Sequence, residues 1–356
     1  MISLVLVAHR SSRWLPGAVE SFRAEAATLG VPAEVVVVEQ SEDVEEAARA
    51  EVARPERFLI RENRGYAAGL NAGMAAASGE ILLLGNPDVR FHPGSLGALL
   101  AGLEEGWDVV GPQFVLAGWL FPPADVQTPG EELRRYFASR SARFWDLHHR
   151  REARRWAAVW ESPAPVEAPA LSGALVAVRA ETAARIGPWD EGYFLYFEET
   201  SWLRRARAMG RQLAVVPAAR VEHAWGHAAG REPAAAHFGP SRRRYYEHSF
   251  GLLGTAIANL RLDVSPLDPP AFAAAEAARF RQRALWLLSP SPLGFPAAGL
   301  WSESLPLEEI RGFSRACPQC ASLVLIAYDA RAGRRLGIWR VEAAAVQRGD
   351  DRPYAV

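Results

Sequence analysis

Along the amino-terminal part of the chain, short continuous apolar runs alternate with stretches whose apolar positions recur at helical spacing. The runs are Ile2–Ala8, Glu34–Val38, Phe58–Ile60 and Ile81–Leu84, and the intervening helical stretches are Trp14–Leu29, Asp43–Val52 and Ala67–Ala77. Runs apolar at nearly every position belong to strands buried on both faces. A helix after each run then indicates a parallel sheet with helices on both sides. Ligands on such sheets gather beyond the carboxyl ends of the strands, where the strand order reverses. The residues that follow the strands are therefore the first place to seek chemistry: His9-Arg10, Glu39-Gln40-Ser41, Arg61–Gly65 and Gly85–Asp88.

From Trp119 to Pro169 the pattern changes, with proline turns around a basic, aromatic stretch, Arg134–Trp160. Its spacing predicts an amphipathic helix pair, inserted in the first domain at about 119–169. The arginine face of that pair is either solvated or an acceptor or membrane-surface element. Leu171–Arg179 returns to strand character, Glu198–Met209 reads as a helix closed by Gly210, and Gln212–Val216 as a further strand. Prolines and serines after Asp263 mark a boundary, giving a first domain over 1–262 and a small C-terminal α+β module over 263–356. In that module Ser322–Asp329 and Arg335–Val341 alternate around Ala330–Gly333 as a hairpin. Cys317-Pro318-Gln319-Cys320 stands before it; one such pair falls short of the four ligands of structural zinc. Metal or redox use and two incidental cysteines in a turn both stay open.

Composition narrows the class. Hydrophobic residues make up 49% and charged residues 23% of the 356, which is a folded globular chain and not a disordered one. All 40 cationic residues are arginine, and 41 acids bring the net charge to −1. That balance lacks the broad basic footprint of a protein that coats nucleic acid, so no nucleic-acid partner is expected. Two cysteines cannot build a disulfide framework, and a reducing cytoplasm is the expected location. Ile2–Ala8 is too short for a membrane span and has no basic lead-in. Any membrane contact is then expected to be peripheral, at the inner face, with no transmembrane segment.

Four segments combine into one pattern. Asn63-Arg64-Gly65-Tyr66-Ala67-Ala68-Gly69-Leu70-Asn71-Ala72-Gly73 resembles the N-x-G-(F/Y)-x-x-G-x-N-x-G stretch of family 2 glycosyltransferases. Gly85-Asn86-Pro87-Asp88-Val89 resembles their N-P-D-V form of the DxD motif. The box from Gly187 through Trp189-Asp190-Glu191 and Tyr196 to Glu198-Glu199 is similar to G-x-F-D-E-x-F-F-x-Y-x-E-D. Val221-Glu222-His223, with Gly226-His227, resembles the V-x-H-x-x-G segment that follows. The four come in family order, and the rhamnosyltransferase-like branch is the nearest resemblance. It implies an α/β GT-A fold, a Rossmann-like mixed sheet of nucleotide-diphospho-sugar transferases with helices on both faces.

The resemblance implies a glycosyltransferase that moves a sugar from a nucleotide-diphosphate donor to an acceptor hydroxyl, with inversion. The acceptor would be a carbohydrate or a lipid-linked one, in polysaccharide or glycoconjugate biosynthesis. Donor binding falls on Ala8, Arg10, Glu39, Asn63, Arg64, Gly65, Gly69, Asn71, Asn86 and Asp88. Glu39 stands where relatives usually have Asp. Asp88 follows a strand at the place where a carboxylate can hold Mg2+ or Mn2+ across a diphosphate, with His223 as a further ligand. A turn-capping Asp and a structural His are the plainer readings of these two. The family's base, the Asp of its E-D pair, falls on Glu199, where a carboxylate can take the acceptor's proton. Acceptor contacts fall on Trp189, Asp190, Glu191, Tyr196 and Glu198, although an aromatic run of this kind also suits a core. Glu199, and Ser201 in place of the next family Asp, motivate an alternative: a catalytically silent sugar-nucleotide-binding or scaffold protein of the same fold.

Overall fold

The computed structural model describes residues 1–224, 234–260, 266–272, 282–317, 320–329 and 333–342. In chain order the elements begin β1 (Ile2–Ala8), α1 (Leu15–Leu29), β2 (Ala33–Glu39), α2 (Val44–Glu51), β3 (Arg57–Ile60), α3 (Tyr66–Ala76) and β4 (Ile81–Gly85). They continue with β5 (Val89–Phe91), α4 (Ser95–Glu104), β6 (Val109–Leu116), β7 (Trp119–Leu120), α5 (Pro129–Ala138), α6 (Ala142–Trp160) and β8 (Val166–Glu167). Then come β9 (Leu175–Arg179), α7 (Ala180–Ile186), α8 (Glu198–Ala208), β10 (Leu213–His223) and α9 (Ala234–Ala258), the last broken at Gly251. The chain closes with β11 (Ala284–Ser289), β12 (Ala298–Ser302), α10 (Leu307–Ala316), β13 (Ser322–Asp329) and β14 (Arg334–Glu342).

The chain divides into two compact units, the first made of 1–114, 123–127 and 162–258, the second of 115–122, 128–161 and 259–356. In the first, β3, β2, β1 and β4 lie side by side and parallel, with β9 added antiparallel to β4 and β6 to β9. The mixed sheet follows from the sequence. β1 is buried at all seven positions and β2 at all but its first, so both faces carry helices. Strand order reverses between β1 and β4, whose registers place Ala8 opposite Glu39 and Leu6 opposite Gly85. Four loops therefore end at one edge, the geometry in which such sheets hold ligands.

Local chemistry sets the helix ends. The Asp43 carboxylate accepts from the amides of Glu45 and Glu46, capping α2, and Gly30 in the left-handed region closes α1. Gly69 and Gly73 let α3 lie on the sheet, because a Cβ at either would fall 2.5 or 2.3 Å from the side chains of Val7 or Val5. The strand expected over Leu171–Arg179 is ordered as a strand only from Leu175; Gly173 and Ala174 form a turn, and Gly173 lies against Glu199.

The second unit has its own core. The helix pair expected at Arg134–Trp160 is α5 and α6, and it packs with the C-terminal strands. Trp145, Trp156 and Trp160 join Leu285, Leu287, Phe295, Ile326 and Tyr328 in one buried cluster. β13 and β14 form the expected antiparallel hairpin, with part of its connection outside the described residues.

Candidate functional site at the carboxyl edge of the first unit

Beyond β4, the Asn86 amide donates to the carbonyl of Ala174 at 2.9 Å, fixing the turn that carries Asp88. The Asp88 side chain is fully buried, and neither carboxylate oxygen accepts a hydrogen bond among the described residues. Its neighbour is the ring of His223, with Nε2 3.3 Å from Oδ1 and 3.4 Å from Nδ2 of Asn86. The pairing of β10 with β5, in which His223 stands opposite Val89, brings these three together. A buried carboxylate without hydrogen bonds is an expensive arrangement in a turn, and it is the donor set a hard cation prefers. Two protein ligands are all that gather: among the described residues, no three His, Cys, Asp or Glu side chains form a metal-holding group. The residues fit a cation that takes its remaining ligands from donor oxygens and water. His227 lies outside the described residues.

The second carboxylate pair heads α8. Tyr196 and Phe197, with φ of 69° and 68°, are two successive non-glycine residues in the left-handed region immediately before Glu198. Such strain amounts to about 1–2 kcal/mol per residue and persists only where surroundings enforce it. Here Phe197 is clamped between Phe238 and Tyr245, and its carbonyl accepts from the Ser201 amide at 2.9 Å. Burial and the neighbouring Glu199 charge push the Glu198 carboxyl well above its usual range. Burial also raises Glu199, while backbone N–H groups at the helix start and the Thr200 hydroxyl pull the other way. Both carboxyls are thus held above the usual range, and the hydrogen bonds that favour the ionised form are more numerous at Glu199. Side chains adjacent on a helix diverge by about 100°, yet the two remain electrostatically linked.

Tyr66 ties these parts together. Its hydroxyl donates to the Gly173 carbonyl at 3.1 Å, and its amide donates to the Phe194 carbonyl at 2.9 Å. Burial raises its hydroxyl well above the usual tyrosine range, and the charges of Glu198, Glu199 and Asp88 add to that. Gly173 itself faces Glu199, whose Cβ would lie 3.0 Å from an added methyl there. Neither Tyr66 nor Gly173 was assigned a role from sequence. The signal was a tyrosine at the first turn of a glycine-rich helix and a Ser-Gly pair interrupting an apolar run.

On the β1 and β2 side, the Glu39 carboxylate is buried, and its Oε1 accepts from the Ser41 amide at 2.6 Å. Its Oε2 has no hydrogen-bond partner among the described residues, and burial raises the group. The Ala8 carbonyl accepts from Gln40 at 2.8 Å, and the Arg10 amide donates to the Ser41 hydroxyl at 2.6 Å, leaving the Arg10 side chain exposed. Asn63 accepts from the Gly65 amide at 3.2 Å and lies 3.4 Å from the His9 ring.

Several expected contacts are spent within the protein. Trp189, expected to meet an acceptor, is buried and stacks on Trp202 with rings 4.9 Å apart and 2° from parallel, so no sugar reaches its face. Asn71 accepts from the Trp189 amide at 2.9 Å and donates to the Trp189 carbonyl and to Glu191, both at 3.0 Å. Glu191 also pairs with Arg64 at 3.0 Å. Asp190 accepts from the Gly192 amide and pairs at 3.2 Å with Arg244, whose guanidinium also covers the Tyr193 ring. Asn71, Arg64 and Glu191 thus hold the loop over α3, and Asp190 ties it to α9. Tyr196 is half-buried against Phe238.

The first unit thus holds a mixed sheet whose strand order reverses between β1 and β4, with an acidic turn beyond β4 and a carboxylate pair heading α8. Residues 3–156 match the model of Glycosyl transferase family 2. Among curated proteins, the chain is similar to N-acetylglucosaminyl-diphospho-decaprenol L-rhamnosyltransferase of Mycobacterium tuberculosis, 32% identical over 188 residues, 49% of this chain and 60% of that protein. It is also similar to undecaprenyl-phosphate 4-deoxy-4-formamido-L-arabinose transferase of Klebsiella pneumoniae, 28% identical over 116 residues, 31% of this chain and 36% of that protein. The chain thus matches less than two thirds of the length of either relative. A mannosyltransferase from Pyrobaculum calidifontis overlays loosely, with a TM-score of 0.44 and 15% identity over 72% of each chain.

Proposed function

We propose that the chain is a glycosyltransferase that moves a sugar from a nucleotide-diphosphate donor to an acceptor hydroxyl, in glycoconjugate biosynthesis. The observation that carries this reading is the Asp88 carboxylate, buried, without hydrogen bonds and beside His223. Asp88 and His223 would hold Mg2+ or Mn2+, which when bound neutralises the departing diphosphate. The acceptor oxygen bonds to the anomeric carbon as the bond to the diphosphate breaks, with inversion. Glu199 takes the hydroxyl proton, and the proton retained on Glu198 keeps a second negative charge away from the base. Asn63, the Gly65 backbone and Glu39 face the donor's nucleotide portion, and Tyr196 with Glu198 faces the acceptor. The names of the curated relatives support a polyprenyl-linked acceptor and a deoxysugar donor.

Titration calorimetry with UDP, GDP and dTDP tests the donor half. Binding to one of them is expected to strengthen at least tenfold on adding Mn2+, and Asp88→Ala is expected to abolish that gain. Metal-independent binding that Asp88→Ala leaves unchanged overturns the assignment. Tight, metal-dependent binding without turnover on any donor and acceptor favours the silent sugar-nucleotide binder.

A further inference from the structure

The α5–α6 hairpin of the second unit carries a surface that the transferase reading does not use. Leu133 and Phe137, one helical turn apart on α5, are 39% and 50% exposed, and Phe144 and Leu147 on α6 are 51% and 67% exposed. The two phenylalanine rings meet with centroids 5.8 Å apart, so the side chains from both helices form one continuous apolar ridge and not four scattered residues. Isolated exposed apolar residues are ordinary, but a contiguous patch of large ones on a single element marks an interaction surface.

Its charge says what kind. Between Thr128 and Glu161 stand eight arginines and five acids. Most of the acids are consumed locally: Glu131 pairs with Arg134 and Arg151, Glu132 with Arg135, Asp146 with Arg150 and Glu152 with Arg155. Arg140 and Arg143 flank the ridge between the two phenylalanines, are exposed, and form no ion pair among the described residues. Arg140 instead lies over the Tyr136 ring, 4.9 Å from its centroid. Protruding Phe and Leu side chains bordered by uncompensated arginine fit the boundary between acyl chains and anionic headgroups, where the apolar part enters and the cations meet phosphate. A protein partner would need a complementary acidic groove, for which nothing here argues.

We infer that the α5–α6 ridge docks the protein on anionic bilayer surfaces, with Phe137 and Phe144 inserting and Arg140 and Arg143 meeting lipid phosphates. Docking involves neither donor nor acceptor, so it stands or falls apart from the transferase reading. Among the described residues no helix is long and apolar enough to cross a membrane.

The full chain is sedimented with vesicles of phosphatidylcholine alone and of phosphatidylcholine mixed with phosphatidylglycerol. Binding is expected only to the anionic vesicles, and it should fall as salt rises from about 0.1 to about 1 M, where the Debye length shrinks from about 10 to about 3 Å. Each arginine near the surface contributes about fivefold, so the Arg140→Glu, Arg143→Glu double variant should bind at least tenfold more weakly. The Phe137→Ser, Phe144→Ser double variant should lose binding as well, with unchanged unfolding midpoints because both rings are already half in water. No binding of the wild-type chain to anionic vesicles at low salt overturns the proposal, as does undiminished binding by both variants. A wild-type dimer that the Phe→Ser substitutions convert to monomer, seen by light scattering, also overturns it and assigns the ridge to self-association.

Discussion

Replacing Asp88 with asparagine separates a structural turn residue from a functional carboxylate. Asparagine keeps the shape and removes the charge beside the His223 ring nitrogen, which stands 3.3 Å from Oδ1. The side chain it replaces is fully buried with both oxygens lacking hydrogen bonds, and leaving such a group unsatisfied costs about 1–3 kcal/mol, more when it is charged. Asp88→Asn should therefore stabilise the protein in chelator by about 1–2 kcal/mol, since it removes a buried charge whose oxygens accept no hydrogen bond among the described residues. Followed by tryptophan fluorescence in urea, that corresponds to a midpoint about 0.3–1 M higher. The same substitution should lower turnover more than about a hundredfold, because losing the cation's charge neutralisation is worth several kcal/mol. Gain in stability with loss of function marks a group kept for chemistry. If Asp88→Asn destabilises the protein while turnover survives, Asp88 is a turn residue and the reasoning fails.

Two further predictions concern the surrounding frame. Gly65→Ala should destabilise by about 2–4 kcal/mol, from backbone strain and the lost Tyr66 to Phe194 hydrogen bond, since Gly65 has φ of 97° and an added Cβ would lie 2.5 Å from the Phe194 oxygen. Gly187→Ala, at φ of 88° but with nothing within 4 Å, is the control and should lose only about 1 kcal/mol in the same urea titration. Glu198→Gln should stabilise at pH 8, because the raised carboxyl means that the fold favours the protonated form. That preference supports the wild type below the ordinary carboxyl range and is lost as pH rises, so the variant's advantage should shrink towards zero on acidification. Equal advantage at pH 8 and pH 4.5 would contradict the Glu198 assignment.

The sheet was legible because β1, β2 and β4 are apolar at nearly every position, a pattern only doubly covered strands produce. The turn carrying Asp88 and the start of α8 were legible because motif residues follow directly on strand and helix boundaries. Much of the rest depends on three-dimensional pairing. Trp189 reads as a sugar platform until Trp202 is found beneath it, and Asp190 as an acceptor contact until Arg244 closes on it from α9. The helix pair α5–α6 was visible as a pair, but its packing with strands far along the chain rests on Trp145 and Trp160 meeting residues beyond position 284. No local periodicity carries that information.

The central claim is that Glu199 is the base that activates the acceptor. It is tested by the pH dependence of sugar transfer in the wild type and Glu199→Gln, on whichever donor and polyprenyl-linked acceptor support turnover. The account predicts a wild-type rate that falls on acidification with its limb above the ordinary glutamate value of 4.5, as burial of Glu199 requires. It also predicts a Glu199→Gln enzyme that binds donor normally, turns over at least a hundredfold more slowly and lacks that limb. Undiminished transfer by Glu199→Gln, with the limb in place, would contradict it.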